Sequence, residues 1–402
     1  MSSALKQTFL MIRVNLGSLP RRLWISLSMV LSVALVVAVL SGFLAMARGF
    51  EAALAGAGSP DIAIILGGGT NQETGSDVPA DAIRSLTAMS GDTGIARDGA
   101  GGLALSRETI VPIDVKGSDG AEQTLSLRGM DRAGIDLRGR ARLSQGRLFV
   151  SGAREIVVGA RVAEAFPGFG VGQTVRFGAV DWTVAGHFTA GGSAFESEIW
   201  ADLDAVQSAF DWQGQVQSLR VKLAGVDPAT ALATLRQRLS DLSGTPLTTI
   251  SEADLYAAQA ERTERLIRLF GWPIALLMAI GATAGALNTM MNSVSDRGVE
   301  IATLRLLGFS SLPAFAATWF EAVLLSVAGA GFGILASRLA FNGWQASTMG
   351  ANNTKMAFQL DVTFDVILTA GVLGLAIGIL GGALPALAAA RLPLSSALRA
   401  RG

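Results

Sequence analysis

The chain has 402 residues, of which 50% are hydrophobic, 16% are charged and 48 are glycines. Its 32 basic side chains balance 32 acidic ones, so no charge excess points to nucleic acid, and the absence of cysteine excludes disulfides, thiolate metal sites and cysteine nucleophiles. An apolar, glycine-rich chain of this length reads as a membrane protein.

Residues 1–22 hold Lys6, Arg13, Arg21 and Arg22 and no acid, while Leu5, Phe9, Leu10, Ile12, Val14 and Leu16 make the segment amphipathic. This predicts an interfacial helix on the cytoplasmic side. Residues 23–47 carry no charge and are long enough to span at about 1.5 Å per residue. Ala45-Met46-Ala47 resembles a cleavage site, but the apolar run exceeds the roughly 7–15 residues of a signal core, so the reading is an uncleaved first span.

Residues 48–262 differ in kind. Charges return, and short alternating segments stand between Gly, Pro, Asp and Ser clusters. Strands are expected near Asp61–Leu66, Thr109–Lys116, Glu122–Arg128, Glu155–Val158, Gln173–Phe177, Asp181–Phe188, Glu198–Trp200 and Gln217–Leu223, and a final strand near residue 247. Helices are expected near Pro79–Met89, with the proline in the first turn, and near Ala160–Phe166, Leu203–Phe210 and Ala229–Leu242. The expectation is an α+β extracytoplasmic domain of two subdomains, the second being an insertion of residues about 130–212. Residues 251–268 form a charged helix that enters the next apolar run without a break. With Ala45–Leu54 it would make a helical stalk.

Further spans are expected at residues 269–292, 312–338 and 364–390, giving four transmembrane helices in all. They leave a cytoplasmic segment at 293–310, an extracytoplasmic loop at 339–362 and a cytoplasmic tail at 391–402. Lys6, Arg13, Arg21, Arg22, Arg297, Arg305, Arg391, Arg399 and Arg401 then share one side, against Lys355 in the short loop on the other. The positive-inside rule puts both termini in the cytoplasm and the large domain outside.

Candidate chemistry is sparse. No lysine follows a glycine, so no phosphate-binding loop exists and the chain cannot be its own P-loop ATPase. The glycine clusters Gly67–Gly69 and Gly99–Gly102 read as loops. His187, the only histidine, has neither the spacing of a catalytic triad nor a cysteine partner. Glu196 and Glu198 lack the further ligands of a cation site and read as a solvated or contact surface. No catalytic or metal residues are therefore expected. Glu321 is a carboxylate inside a span, and such a group normally has a partner. Either it reaches toward the interface, or it pairs with or caps the neighbouring cytoplasmic helix, with Arg305 as a possible partner. Gly281 and Gly285, Gly329 and Gly333, and Gly374, Gly378 and Gly382 are small-residue faces for close helix packing, within the chain or across a homodimer.

The segment from Ser293 to Gly308 is amphipathic and charged, with Asp296 and Glu300 on one helical face, Ser295 a possible start and Gly308 a possible stop. Spacing alone leaves it either an ordinary polar hairpin or a helix on which something outside the membrane pushes.

The run Ser293-Val294-Ser295-Asp296-Arg297-Gly298-Val299-Glu300-Ile301-Ala302-Thr303-Leu304-Arg305-Leu306-Leu307-Gly308 resembles the signature of FtsX-like/MacB-like ABC transporter permeases, the type VII or mechanotransmission class. Phe320–Ser326 resembles the family's third span, and Leu384–Arg399 its C-terminus. Gln145–Phe149, Glu155–Gly159 and Val171–Val175 resemble its extracytoplasmic domain. The resemblance implies a non-enzymatic, dimeric, four-span inner-membrane subunit. Its coupling helix, at about Ser295–Leu307, would dock a separate ATPase that binds ATP and Mg. It implies Asp296, Arg297, Glu300, Ile301, Leu304 and Arg305 as the ATPase-coupling residues. The partner permease would be a second copy or a related chain, and a periplasmic adaptor would meet the outer domain. Efflux driven by domain motion is the expected function. The alternatives are a lipoprotein-releasing permease and an FtsX-like regulator of an extracytoplasmic hydrolase.

Overall fold

The computed structural model describes residues 2–117, 120–240, 246–350, 352 and 354–392. The expected tail beyond Leu392, with Arg399 and Arg401, lies outside the described residues. Helix α1 (Ser2–Ser18) leads through a 3-10 turn (Leu19–Arg22) into α2 (Leu23–Ala57). There follow β1 (Ile62–Gly67), α3 (Ala80–Ala88), β2 (Leu105–Lys116), β3 (Glu122–Met130), α4 (Ala133–Asp136), β4 (Arg142–Gly146), β5 (Glu155–Gly159) and α5 (Ala160–Ala165). Next come β6 (Thr174–Phe177), β7 (Val180–Thr189), β8 (Glu198–Asp202), α6 (Leu203–Ala209), β9 (Ser218–Lys222), α7 (Pro228–Ser240) and β10 (Leu247–Ser251). The chain ends with α8 (Glu252–Asp296), α9 (Gly298–Leu306), α10 (Ser311–Phe341), the hairpin β11 (Gln345–Met349) and β12 (Lys355–Gln359), and α11 (Phe364–Arg391).

The chain divides into two units. The first comprises residues 1–48, 265–344 and 360–402 and is helical. Helices α2, α8, α10 and α11 are each long and apolar enough to cross a membrane. Small residues set their spacing. A Cβ on Gly329 would stand 2.7 Å from the Val30 carbonyl oxygen, and one on Gly333 2.5 Å from that of Ala34, so the backbone of α10 lies directly on α2. Gly374, Gly378 and Gly382 of α11 meet Ala330, Ser326 and Ala322 of α10 in the same way, and the Ser326 hydroxyl donates to the Gly374 carbonyl at 2.6 Å. These five glycines pack within the chain. Gly281 and Gly285 do not, since a Cβ on either would meet nothing within 4 Å.

The second unit comprises residues 49–264 and 345–359. Its sheet runs β10-β1-β9-β2-β3-β8-β5-β7-β4, with β6 added on β7. One apolar core gathers Ala63, Ile65 and Leu86 with Leu219, Val221 and Leu235, so residues from both ends of the segment build it. The other gathers Val111, Leu125, Ile156, Trp182, Val184 and Ile199. The sheet passes unbroken across the boundary expected near residue 130, because β2 belongs to both cores and pairs β9 on one edge and β3 on the other. The outlying strand 247 closes against β1 in antiparallel register, Ile64 opposite Ile250. Pro79 occupies the N-cap of α3 rather than its first turn, with an extended ψ of 142°.

On the face of the sheet opposite both cores lies a buried charge network. Arg128 donates to Glu73 at 2.8 Å, Glu108 at 2.9 Å and Glu198 at 2.7 Å. Arg138 donates to Glu108 at 2.7 Å and sits 5.2 Å above the rings of both Phe195 and Trp200. Arg220 reaches Glu108 at 3.2 Å and pairs with Glu252, the first residue of α8. Burial works against ionising Glu108, but Arg138, Arg220 and Arg128 outweigh it and hold the carboxyl well below the usual range. Glu73 is likewise lowered: burial raises it, and Arg128 more than offsets that. The expectation that Glu198 and Glu196 form a solvated or contact surface is corrected here. Glu198 belongs to this network, and buried Glu196 accepts from the Ala190 and Gly192 amides and pairs with Arg161. His187 is structural, its Nε2 lying 2.6 Å from the Phe169 carbonyl oxygen.

The loop expected at 339–362 is a β-hairpin. Its Ala357 amide donates to Ser197 Oγ at 3.0 Å, Thr74 donates to Asn352, and Lys355 donates to Gln123.

Removing one member of the network strands the others without compensation. Arg128→Met is expected to cost about 3–5 kcal/mol of stability, whereas Asp181→Asn, at an exposed pair, stays within about 0.5 kcal/mol. Denaturant titration of the two variants checks this. Because Glu73 and Glu108 have folded-state pKa values below their unfolded ones, their contribution is complete above about pH 4.3 and declines as pH falls further. Thermal midpoints should therefore hold above that pH and drop below it, with a shallower fall in Glu108→Gln.

Candidate functional site

Helix α8 ends at Asp296, Arg297 forms a turn, and α9 starts at Gly298. The helix start expected at Ser295 is corrected, since Ser295 still belongs to α8 and Arg297 is the N-cap residue of α9. The expected stop holds. Gly308 has φ +99°, its amide donates to the Arg305 carbonyl at 3.1 Å, and the Phe309 amide donates to that of Leu304 at 3.2 Å. This is a complete Schellman cap, and Phe309 and Leu304 share one apolar cluster, as that cap favours.

The inward face of α9 packs into the chain. Ile301 joins Met11 of α1, Val294, Ala314 and Ala317 of α10, and Ala389 of α11. Arg297 is buried and donates to Glu321 at 3.1 Å and to Asn15 of α1, whose amide nitrogen lies 3.3 Å from the same carboxylate. The three side chains thus tie α1, α9 and α10 together. Arg305, the possible partner of Glu321 in the sequence, does not pair with it. Its Nη1 donates to the Leu392 carbonyl at 2.6 Å, at the end of α11. Arg22 adds a fourth tie, donating to the Ser293 carbonyl at 2.8 Å.

The expected coupling residues therefore separate. Arg297 and Ile301 are 4% exposed and turn into the chain. Leu304 and Arg305 are half-buried. Asp296 and Glu300 face outward. Beside them stand Val299, Leu306 and Leu307, the last 74% exposed. The outward face is thus acidic and apolar, because both its arginines are engaged internally. Asn15 escaped the sequence reading. Its only signal was its position four residues after Met11, one helical turn along the buried side of α1.

Residues 26–238 match the model of the MacB-like periplasmic core domain, and residues 273–394 match that of the FtsX-like permease C-terminal region. The chain belongs to the MacB/FtsX-like family of ABC transporter permeases. The permease is 27% identical over 274 residues to the macrolide export ATP-binding/permease protein MacB of Bordetella avium strain 197N, covering 64% of this chain and 41% of the relative. It is 25% identical over 284 residues to the MacB of Neisseria gonorrhoeae, covering 67% and 42%. It thus spans about two fifths of the length of the curated relatives it matches. Among solved structures, the periplasmic region of MacB from Actinobacillus actinomycetemcomitans aligns with a TM-score of 0.37 and 17% identity, over 50% of this chain and 94% of that one. The extracellular domain of the transporter YknZ from Gram-positive bacteria aligns with 0.35 and 16%, over 47% and 99%. Four apolar helices and the family's periplasmic domain make the permease an inner-membrane protein with an extracytoplasmic domain.

A buried ion pair loses most when one partner is left behind. Arg297→Ala should lower stability by about 3–5 kcal/mol, and Arg297→Met with Glu321→Leu should recover most of that loss. Glu300→Ala, 60% exposed, should change it by under about 0.5 kcal/mol. Thermal unfolding of the detergent-solubilised variants distinguishes the three.

Proposed function

We propose that the permease couples ATP hydrolysis on an ABC ATPase to motion of its extracytoplasmic domain, and that this motion drives export together with a periplasmic adaptor. The observation that carries the reading is the two-sided α9. One face is fixed in the chain by Arg297, Glu321, Asn15 and Arg305, and the other leaves Asp296, Val299, Glu300, Leu306 and Leu307 outward. An exposed apolar patch rimmed by acids suits a partner groove with apolar walls and basic edges.

In this reading both termini and α9 are cytoplasmic, as the basic residues of α1 and α9 favour. The ATPase supplies the nucleotide chemistry and binds ATP and Mg. Helix α8 is one unbroken element of 45 residues, about 68 Å at 1.5 Å per residue, starting where β10 ends and stopping one residue before α9. It serves with the end of α2 as the stalk through which a displacement of α9 travels. The open faces of Gly281 and Gly285 support a contact with a second permease copy or a related chain, alongside membrane lipid.

The test is reconstitution of the permease with its ABC ATPase. Leu306→Asp with Leu307→Asp should reduce permease-dependent ATPase stimulation at least tenfold, with the permease still folded. Unchanged stimulation would exclude α9 as the docking element.

A further inference from the structure

Within the second unit, a cavity of about 130 Å³ lies among α5, β3 and the β11–β12 hairpin. Its walls include Leu125, Val162, Ala165 and Phe166, and its two charged lining residues are Arg161 and Lys355. No acidic side chain lines it among the described residues.

Arg161 is 6% exposed. Its Nε faces Glu196 at 3.4 Å and its Nη2 donates to the Gly192 carbonyl at 3.0 Å, but Nη1 is buried with no acceptor. Native proteins seldom leave a charged donor this way, because the desolvated N–H has lost water and gained nothing. Lys355 donates to the neutral Gln123 and stands 5.3 Å over the Phe166 ring. Glu196 meets Arg161 only on the Nε side, and its other oxygen accepts two backbone amides. Nη1 therefore stays open to a ligand, and Lys355 adds a second positive charge.

We propose that this cavity binds a small carboxylate with a short apolar body. The two carboxylate oxygens would take Arg161 Nη1 and the Lys355 ammonium, and the body would fill the space between Leu125, Val162 and Phe166. The volume is close to the roughly 150 Å³ of an apolar cavity that accepts benzene. A free phosphate has no apolar body to fill the space between Leu125, Val162 and Phe166, and its oxygens on that side would lose water without gaining a donor. Since Lys355 lies on the hairpin and Arg161 on α5, such a ligand would clamp the hairpin to the α/β unit. The proposal is independent of how α9 acts.

Benzoate is the probe, titrated by calorimetry into the full-length permease in nanodiscs, with benzyl alcohol and inorganic phosphate as comparison arms. Saturable benzoate binding is expected, at least tenfold tighter than either comparison. Lys355→Gln should weaken it at least tenfold. Arg161→Gln also removes the ties to Gly192 and Glu196 and can fail to fold, so Ala165→Phe, which fills the cavity and keeps both charges, is the second variant and should abolish binding. Absent saturation by benzoate, equal affinity for benzyl alcohol, tighter binding of phosphate, or unchanged affinity in either Lys355→Gln or Ala165→Phe would each overturn the proposal.

Discussion

The ion pair between Arg297 and Glu321, joined by Asn15, is the constraint on which the membrane unit depends. A carboxylate in a span and a guanidinium at a helix break are each costly when buried alone. Together they fix where α8 must stop, because Arg297 can meet Glu321 only from the turn that separates α8 from α9. They also settle which side of α9 faces inward. Ile301 follows Arg297 by one turn and lands in the apolar cluster with Met11 and Ala389, and Glu300 is left outside. The acidic and apolar outward face is a consequence of that internal pairing.

The extracytoplasmic unit uses the same chemistry for a different purpose. Arg128, Arg138 and Arg220 lie on the sheet face opposite its two apolar cores, and they hold Glu73, Glu108, Glu198 and Glu252. Glu252 opens α8, so the helix leaves the sheet from an ion pair rather than from a free loop. Both ends of α8 are therefore pinned by buried arginines, Arg220 at one and Arg297 next to the other. Apolar packing alone tolerates sliding by a residue or two, but a buried hydrogen-bonded ion pair does not.

The four spans were legible in the sequence because an apolar run of membrane length is a strong one-dimensional signal. The stop at Gly308 was legible because a glycine past an amphipathic run has one common use. Partners were harder. Glu321 reads as a residue needing one, but the sequence points to Arg305 and not to Arg297, since only the turn at Arg297 decides which arginine points back at α10. Arg128 and Arg220 sit in strands, where a charged residue ordinarily marks the solvent face, and it is the pairing of β9 with β2, distant in sequence, that brings them onto one buried face. The β11–β12 hairpin is short and mixes polar with apolar residues, and it is held by contacts with Ser197 and Gln123, far away in sequence.

In the proposed function, α9 is a fixed helix with one face committed to the chain and the other offered to an ATPase. The absence of cysteine makes this directly measurable. Single cysteines introduced at Leu307 and at Ile301 can be challenged with a membrane-impermeant maleimide from the cytoplasmic side, with and without the ATPase. The account predicts fast labelling at position 307 that the bound ATPase suppresses, and slow labelling at 301 in both conditions. Labelling at 307 that the ATPase leaves unchanged, or fast labelling at 301, would contradict it.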